Sequence, residues 1–237
     1  EDMNKPFIGI ANLASDVTPC NVHLDRIAQK TKTGVRKSGM VPMMFGTITI
    51  SDGISMGTEG MKASLVTREI IADSIEAVVF GESLDGLLAV GACDKNMPGI
   101  MMAMGRLNVP SIFVYGGAIL PGNHNGEDIN VQDMFEAVGK YSRGDMSLKE
   151  LIEMEKVACP GEGACSGMFT ANTMASAIEA MGMAIPGASS IPAVDPRNEE
   201  VAFKSGEYLL ELLKNDIKPR DIMTKEAFEN AISMVIA

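Results

Sequence analysis

A thiol, a carboxylate and an amine stand side by side at Cys93-Asp94-Lys95, inside the run Leu-Leu-Ala-Val-Gly-Ala-Cys-Asp-Lys-Asn-Met-Pro-Gly (87–99). Thiolate is a soft ligand suited to iron–sulfur clusters or zinc, and carboxylate is a hard one suited to magnesium or manganese. The apolar residues before the tripeptide read as a strand. Pro98 and Gly99 then break the chain, and a helical pattern follows. Open α/β sheets place their chemistry at such strand–turn–helix junctions, outside the carboxyl ends of the strands. The competing reading is a buried structural cysteine followed by a surface Asp-Lys pair.

Two further cysteines share this setting. Cys20 lies in Thr-Pro-Cys-Asn, after a strand and at the start of a helix, where the helix N-terminus favours a thiolate. Cys165 lies in the glycine-rich turn Gly-Glu-Gly-Ala-Cys-Ser-Gly (161–167), which runs into a helix. Backbone amides at such places can hydrogen-bond to cluster sulfurs. Cys159, followed by Pro160, reads as a bystander. Three thiolates without a fourth leave a position open for substrate, as catalytic zinc sites do, and zinc stands as the chemical alternative. The plain alternative is three unrelated core residues.

Asp52, in Ile-Ser-Asp-Gly-Ile-Ser-Met-Gly (50–57), again follows a strand. With Asp94 it offers two hard oxygen ligands of the kind that hold magnesium, or else it marks an ordinary Asp-Gly turn. Lys95 is either a surface charge or, beside a carboxylate and a cation, an amine able to form a carbamate with carbon dioxide. His23 falls within a helix and reads as the partner of a backbone group. His124, in a Gly/Asn loop, could touch substrate. Gly116-Gly117 after a strand is either an anion cradle or a plain turn. The chain has no Gly-x-Ser-x-Gly elbow, phosphate loop or His-Glu-x-x-His motif.

These residues need a frame. Apolar runs at 7–12, 45–50, 87–92 and 111–115 read as strands. Helical patterns fill 21–37, 65–80, 100–107, 130–141, 147–157, 165–183, 199–214 and 224 onward, with 118–129 and 184–198 as loops. On helix 21–37, Val22, Leu24, Ile27 and Ala28 lie mostly on one face, and on helix 65–80 Leu65, Ile70, Ile71, Ser74, Ile75 and Val78 recur at helical spacing. The alternation predicts an α/β fold, a three-layer α/β/α domain with a mostly parallel sheet, whose strand ends gather residues 20, 52, 93–95 and 165. No repeat or linker divides the 237 residues, so 1–237 is read as one domain.

A net charge of −11 argues against nucleic acid, since no basic patch could neutralise phosphates. Apolar stretches fall short of the roughly 20 residues of a membrane span. Four cysteines beside 19 methionines fit a reducing compartment and no disulfide scaffold. Both ends read as cut. A cytoplasmic location is expected, or an organellar one if a transit peptide preceded Glu1.

The segments Pro-Cys-Asn-Val-His-Leu (19–24), Ile-Ser-Asp-Gly-Ile-Ser-Met-Gly (50–57), Gly-Met-Lys-Ala-Ser-Leu (60–65), Arg-Glu-Ile-Ile-Ala-Asp-Ser-Ile-Glu (68–76), Cys-Asp-Lys-Asn-Met-Pro-Gly (93–99) and Cys-Ser-Gly-Met-Phe-Thr-Ala-Asn-Thr-Met (165–174) resemble the dihydroxy-acid dehydratase family, within the superfamily that includes 6-phosphogluconate and sugar-acid dehydratases. The resemblance implies a [2Fe–2S] cluster, with [4Fe–4S] as the alternative, on Cys20, Cys93 and Cys165. It implies Mg²⁺ on Asp52, Asp94 and carbamylated Lys95, and a homodimer. The implied reaction is dehydration of 2,3-dihydroxy-3-methyl carboxylates to 2-keto acids, in branched-chain amino-acid biosynthesis. Its implied catalytic Ser and a further metal-binding Glu belong to a C-terminal domain outside this chain, so the chain alone is expected to be inactive. The alternatives are a sugar-acid or 6-phosphogluconate dehydratase and, from another class, a non-enzymatic iron–sulfur or zinc protein.

Overall fold

The computed structural model describes residues 2–237. Its main sheet contains β1 (Phe7–Asn12), β2 (Val41–Gly46), β3 (Gly86–Gly91) and β4 (Ser111–Tyr115), ordered β2-β1-β3-β4. Every pairing is parallel, with Ile8 opposite both Pro42 and Gly86, and Leu88 opposite Ile112. The helices are α1 (Leu24–Lys37), α2 (Asp52–Ser55), α3 (Met61–Gly81), α4 (Asn96–Leu107), α5 (Val131–Arg143), α6 (Leu148–Glu155), α7 (Thr170–Ala180), α8 (Pro196–Lys214), α9 (Pro219–Ile222) and α10 (Lys225–Ile236).

Helices cover both faces of the sheet, which is why β3 and β4 read as unbroken apolar runs and are buried throughout. Alternation along β3 separates the layers. A side chain at Gly86 would meet Leu209 of α8, whereas one at Gly91 would meet Ile100 of α4. The α1–α8 pair forms one layer and the α3–α4 pair the other, as the three-layer expectation requires. The first pair packs backbone to backbone: a Cβ on Gly34 would lie 1.9 Å from the Phe203 carbonyl oxygen, and one on Gly206 would lie 2.4 Å from the Gly34 carbonyl carbon. Ile8, Ile10, Leu24, Ile27, Leu87 and Leu88 are fully buried between the layers.

Sequence order reverses beside β1. The chain moves from β1 outward to β2, then returns to the other side of β1 for β3 and β4. The carboxyl ends of β1 and β3 therefore flank a topological switch point, where open sheets leave a crevice.

Several elements differ from expectation. The strand expected at 45–50 lies at Val41–Gly46. Gly39, at φ +84°, ends α1, and the chain enters the sheet at once through a 2.9 Å bond from the Val41 amide to the Pro6 carbonyl. Pro42 is tolerated because β2 is an edge strand. Helix α4 starts at Asn96 rather than 100, with Pro98 in the first turn, where no intrahelical donor is lost. Helix α7 starts at Thr170, so Cys165 sits in an irregular turn ahead of it.

The buried face of α3 is Ser64, Thr67, Ile71, Ala72, Ile75 and Val79; Leu65 and Ile70 are exposed, as is Val22 before α1. The loop expected at 118–129 contains a hairpin, β5 (Gly122–His124) and β6 (Glu127–Ile129), closed by Asn125-Gly126 with both φ values positive. Asn-Gly is the usual signature of such a turn.

Candidate metal centre

Cys20, Asp52, Cys93, Asp94 and Lys95 lie beyond strand ends, and Cys165 lies in the turn before α7. Cys20 sits in the loop between β1 and α1, its amide donating to the Thr18 hydroxyl at 3.2 Å. Cys93 follows β3; its amide donates to Asn96 Oδ1 at 3.0 Å, and its thiol lies 3.5 Å from the Ile50 carbonyl oxygen. The loop bearing Cys165 is laced to both neighbours. The Gly163 amide donates to the Pro19 carbonyl at 2.9 Å, and the Ala164 amide to the Gly117 carbonyl at 2.9 Å. Gly163 has φ +130°, and a Cβ there would come within 2.4 Å of the Ile119 nitrogen, so only glycine permits this approach.

These loops bring the three sulfurs together. Cys165 and Cys93 bear on the Cys20 thiol first, with Thr18 and Ser51 beside them, and lower it to about 3 from an ordinary 9.0. Nearness to Cys20, reinforced by burial, pushes Cys93 and Cys165 upward. Among the described residues no His, Cys, Asp and Glu side chains are already set out as a metal polyhedron. Loading a metal at these thiols would replace their protons. Cys159 is exposed and outside this set.

The carboxylates meet beside the thiols. Asp52 opens α2 and is buried. One of its oxygens accepts from the Ser64 hydroxyl, and the other lies 2.5 Å from Lys95 Nζ. Asp94 is pushed up to about 6, first by burial, then by the charge of Asp52, against the opposing pull of Lys95. Cys20 adds to the same repulsion. One ammonium thus serves two carboxyls. That excess of buried negative charge, carried by soft and hard donors in adjacent groups, fits both a thiolate-bound cluster and a divalent cation.

Reasoning from sequence missed the amides and the phenol that hold these loops. Asn172 Nδ2 donates to the Cys165 and Gly167 carbonyls, each at 2.7 Å, and its Oδ1 accepts from the Tyr115 hydroxyl at 2.5 Å. Tyr115 is pushed upward by burial and by Cys20, Cys165, Asp94 and Cys93, which puts it next to the whole set. Asn21 and Asn96 bridge the other loops. All three asparagines flank or follow a candidate ligand in sequence, the one signal that could have marked them.

His23 is the backbone partner it was expected to be, with Nε2 2.8 Å from the Gly116 carbonyl oxygen; burial lowers its pKa, and its Nδ1 is buried without a partner. His124 lies in the β5–β6 hairpin against Asn125. Gly116-Gly117 is a packed turn rather than an anion cradle: its first carbonyl accepts from His23 and Asn198, and a Cβ on Gly116 would meet Leu24 at 2.4 Å. The 620 Å³ cavity lined by Lys37 and Tyr208 and the 650 Å³ cavity lined by Met43 and Phe45 contain none of the candidate ligands.

Residues 5–237 match the family described as dihydroxy-acid/6-phosphogluconate dehydratase N-terminal. The chain is 58% identical over all its 237 residues to a protein of Synechococcus sp. named dihydroxy-acid dehydratase. It is 56% identical to dihydroxy-acid dehydratase 2 of Staphylococcus saprophyticus and 54% identical to dihydroxy-acid dehydratase of Crocosphaera subtropica, again over its full length. In each case the chain spans 42% of the relative's length. With this match running from Lys5 to Ala237, the chain belongs to the dihydroxy-acid/6-phosphogluconate dehydratase family, of which it carries the N-terminal region.

Proposed function

We propose that the protein carrying this chain is a hydro-lyase that dehydrates 2,3-dihydroxy-3-methyl carboxylates to 2-keto acids, a step of branched-chain amino-acid biosynthesis. The observation that carries this reading is the meeting of Cys20, Cys93 and Cys165 beside Asp52, Asp94 and Lys95 at the switch point of a parallel sheet. An electron-transfer or scaffolding protein would have a use for the thiols but none for the acid pair. The names of the relatives support the dihydroxy-acid branch over the phosphogluconate branch.

Cys20, Cys93 and Cys165 would hold a [2Fe–2S] cluster, and Asp52, Asp94 and Lys95 as its carbamate would hold Mg²⁺. Bound there, the two groups supply Lewis acidity for loss of the C3 hydroxyl and for acidifying the C2 proton. The chain prepares this by its charges. Thiols release their protons to bind metal, and with Cys93 and Cys165 pushed upward, assembly should favour higher pH. Asp94 likewise gives up its proton to a cation. The Lys95 ammonium, once freed from Asp52, can release one proton to become an amine and add to carbon dioxide with loss of a second, forming an N–C bond and a carboxylate in place of the ammonium. No side chain gathered at the site is placed as the proton acceptor, and that role is assigned to a Ser outside this chain.

The exposed Leu65, Val66 and Ile70 of α3, with Ile54 and Met56 nearby in sequence, are consistent with a homodimer. No helix among the described residues is long and apolar enough to cross a membrane. The deciding assay presents the whole protein, purified without oxygen, with 2,3-dihydroxyisovalerate and with 6-phosphogluconate, alongside iron, sulfide and Mössbauer analysis. Turnover of the first substrate with iron and sulfide present is expected. Turnover of the second alone moves the protein to the other branch, and zinc without iron or sulfide ends the cluster reading.

A further inference from the structure

We infer that Asn96 is a positioning residue whose side-chain amide locks the Cys20, Cys93 and Asp52 segments into one site. The inference rests on reading that site as a metal centre. Asn96 opens α4 directly after Lys95 and is fully buried. Its Oδ1 accepts from the Cys93 amide at 3.0 Å and from Asn21 Nδ2 at 2.8 Å. Its Nδ2 donates to the Thr49 hydroxyl at 3.0 Å. Asn21 follows Cys20, and Thr49 precedes Ser51 and Asp52 in the segment that leaves β2. One planar amide therefore ties together the three loops beyond β1, β2 and β3.

The orientation of the amide follows from chemistry. A backbone N–H can only donate, so the Asn96 atom facing Cys93 is the oxygen. Asn21 must then turn its nitrogen toward that oxygen. Its second hydrogen goes to the Leu13 carbonyl at 2.6 Å. This leaves Asn21 Oδ1 buried without a partner. Buried amide oxygens are normally satisfied, and stability alone would not retain one that is not. The fold accepts this cost because turning Asn21 over would set two oxygens against each other and release the Cys20 loop from the Cys93 loop. Groups that orient first ligands without touching the metal act in this way.

The test uses the whole protein with Asn96→Ser and Asn96→Ala. Serine and alanine both end short of the Asn96 amide atoms, so each removes the ties to Cys93, Asn21 and Thr49, and serine alone keeps a polar atom at the helix start. In metal-free protein, iodoacetamide labelling of each cysteine is followed by mass spectrometry, with Cys159 as the internal reference. Cys20 and Cys93 in Asn96→Ser should label faster relative to Cys159, and Cys165, held by Asn172, should change little. After reconstitution, iron retention against a chelator should fall by about 10- to 100-fold while the melt stays cooperative. Unchanged labelling ratios and unchanged iron retention in Asn96→Ser overturn the inference. Equal acceleration at all three thiols with loss of the cooperative melt also overturns it, because that marks a general structural role. If the unsubstituted protein takes up no iron or sulfide, the metal-centre reading fails by itself, and the labelling ratio still decides the role of Asn96.

Discussion

Asp52 and Asp94 lie near enough beyond the ends of β2 and β3 for the charge of the first to bear on the second. Burial is the larger cause of the rise at Asp94, and Lys95, 2.5 Å from Asp52, offsets it only in part. Asp94 is raised from 3.8 to about 6, so between those values the folded state holds a proton that the unfolded chain has lost. Its contribution to stability therefore falls as pH rises through that window and stays low above it. In metal-free protein, Asp94→Asn should raise stability at pH 7 by about 1–2 kcal/mol, a figure discounted for the solvent that reaches this carboxyl. The gain should vanish near pH 4. Urea titrations of variant and parent at the two pH values isolate this group. A variant no more stable than its parent at pH 7 would show that the carboxyls do not repel.

The cysteines should divide three to one. Cys159→Ser should keep full iron and sulfide content, because Cys159 is exposed and is not among the groups that bear on Cys20. Serine at 20, 93 or 165 should each lose most of the bound iron. Elemental analysis after anaerobic reconstitution reads the result, and iron loss in Cys159→Ser would contradict the assignment of ligands.

Tyr115 and Asn172 act as one unit on the Cys165 turn. Tyr115→Phe keeps the ring and deprives Asn172 Oδ1 of its donor, costing about 1–3 kcal/mol. Asn172→Ala frees the Cys165 and Gly167 carbonyls as well. The double variant should cost less than the sum of the two, with a coupling above about 0.5 kcal/mol. Additive urea midpoints would mean that the phenol does not work through the amide.

The α1–α8 seam offers a test of the fold. Gly206→Ala would force a methyl against the Gly34 backbone and should destabilise by about 1–3 kcal/mol or more. Gly139→Ala on α5, where nothing lies within 4 Å, should be neutral or stabilise by up to about 1 kcal/mol. Thermal melts of the pair give the comparison; equal melts would place α1 and α8 further apart than described.

Much of the fold was legible from the residues. Strands at Phe7–Asn12 and Ser111–Tyr115 lie where their apolar runs stand, since a parallel strand covered on both faces cannot hide its composition. Strand β2 was misplaced because it is largely half-buried or exposed and admits Pro42, whereas β4, at the other edge, is buried throughout. The face of α3 was misjudged because two hydroxyl residues, Ser64 and Thr67, are buried there, Ser64 serving Asp52, while Leu65 and Ile70 remain outside.

The sequence by itself determined the donors and their places: Cys20, Asp52, Cys93 and Asp94 past strand ends, one lysine beside them, Cys165 in a glycine-rich turn before a helix, and a fourth cysteine in a different setting. Such positions are local, set by where an apolar run stops and the chain must bend. Only the tertiary structure decided that the three thiols bear on one another, which carboxyl is raised, and that Asn21, Asn96 and Asn172 hold the loops in place. Those properties arise from distances between segments far apart in the chain. Charge repulsion, burial and hydrogen bonding act through space, and no residue type or spacing along the sequence encodes them.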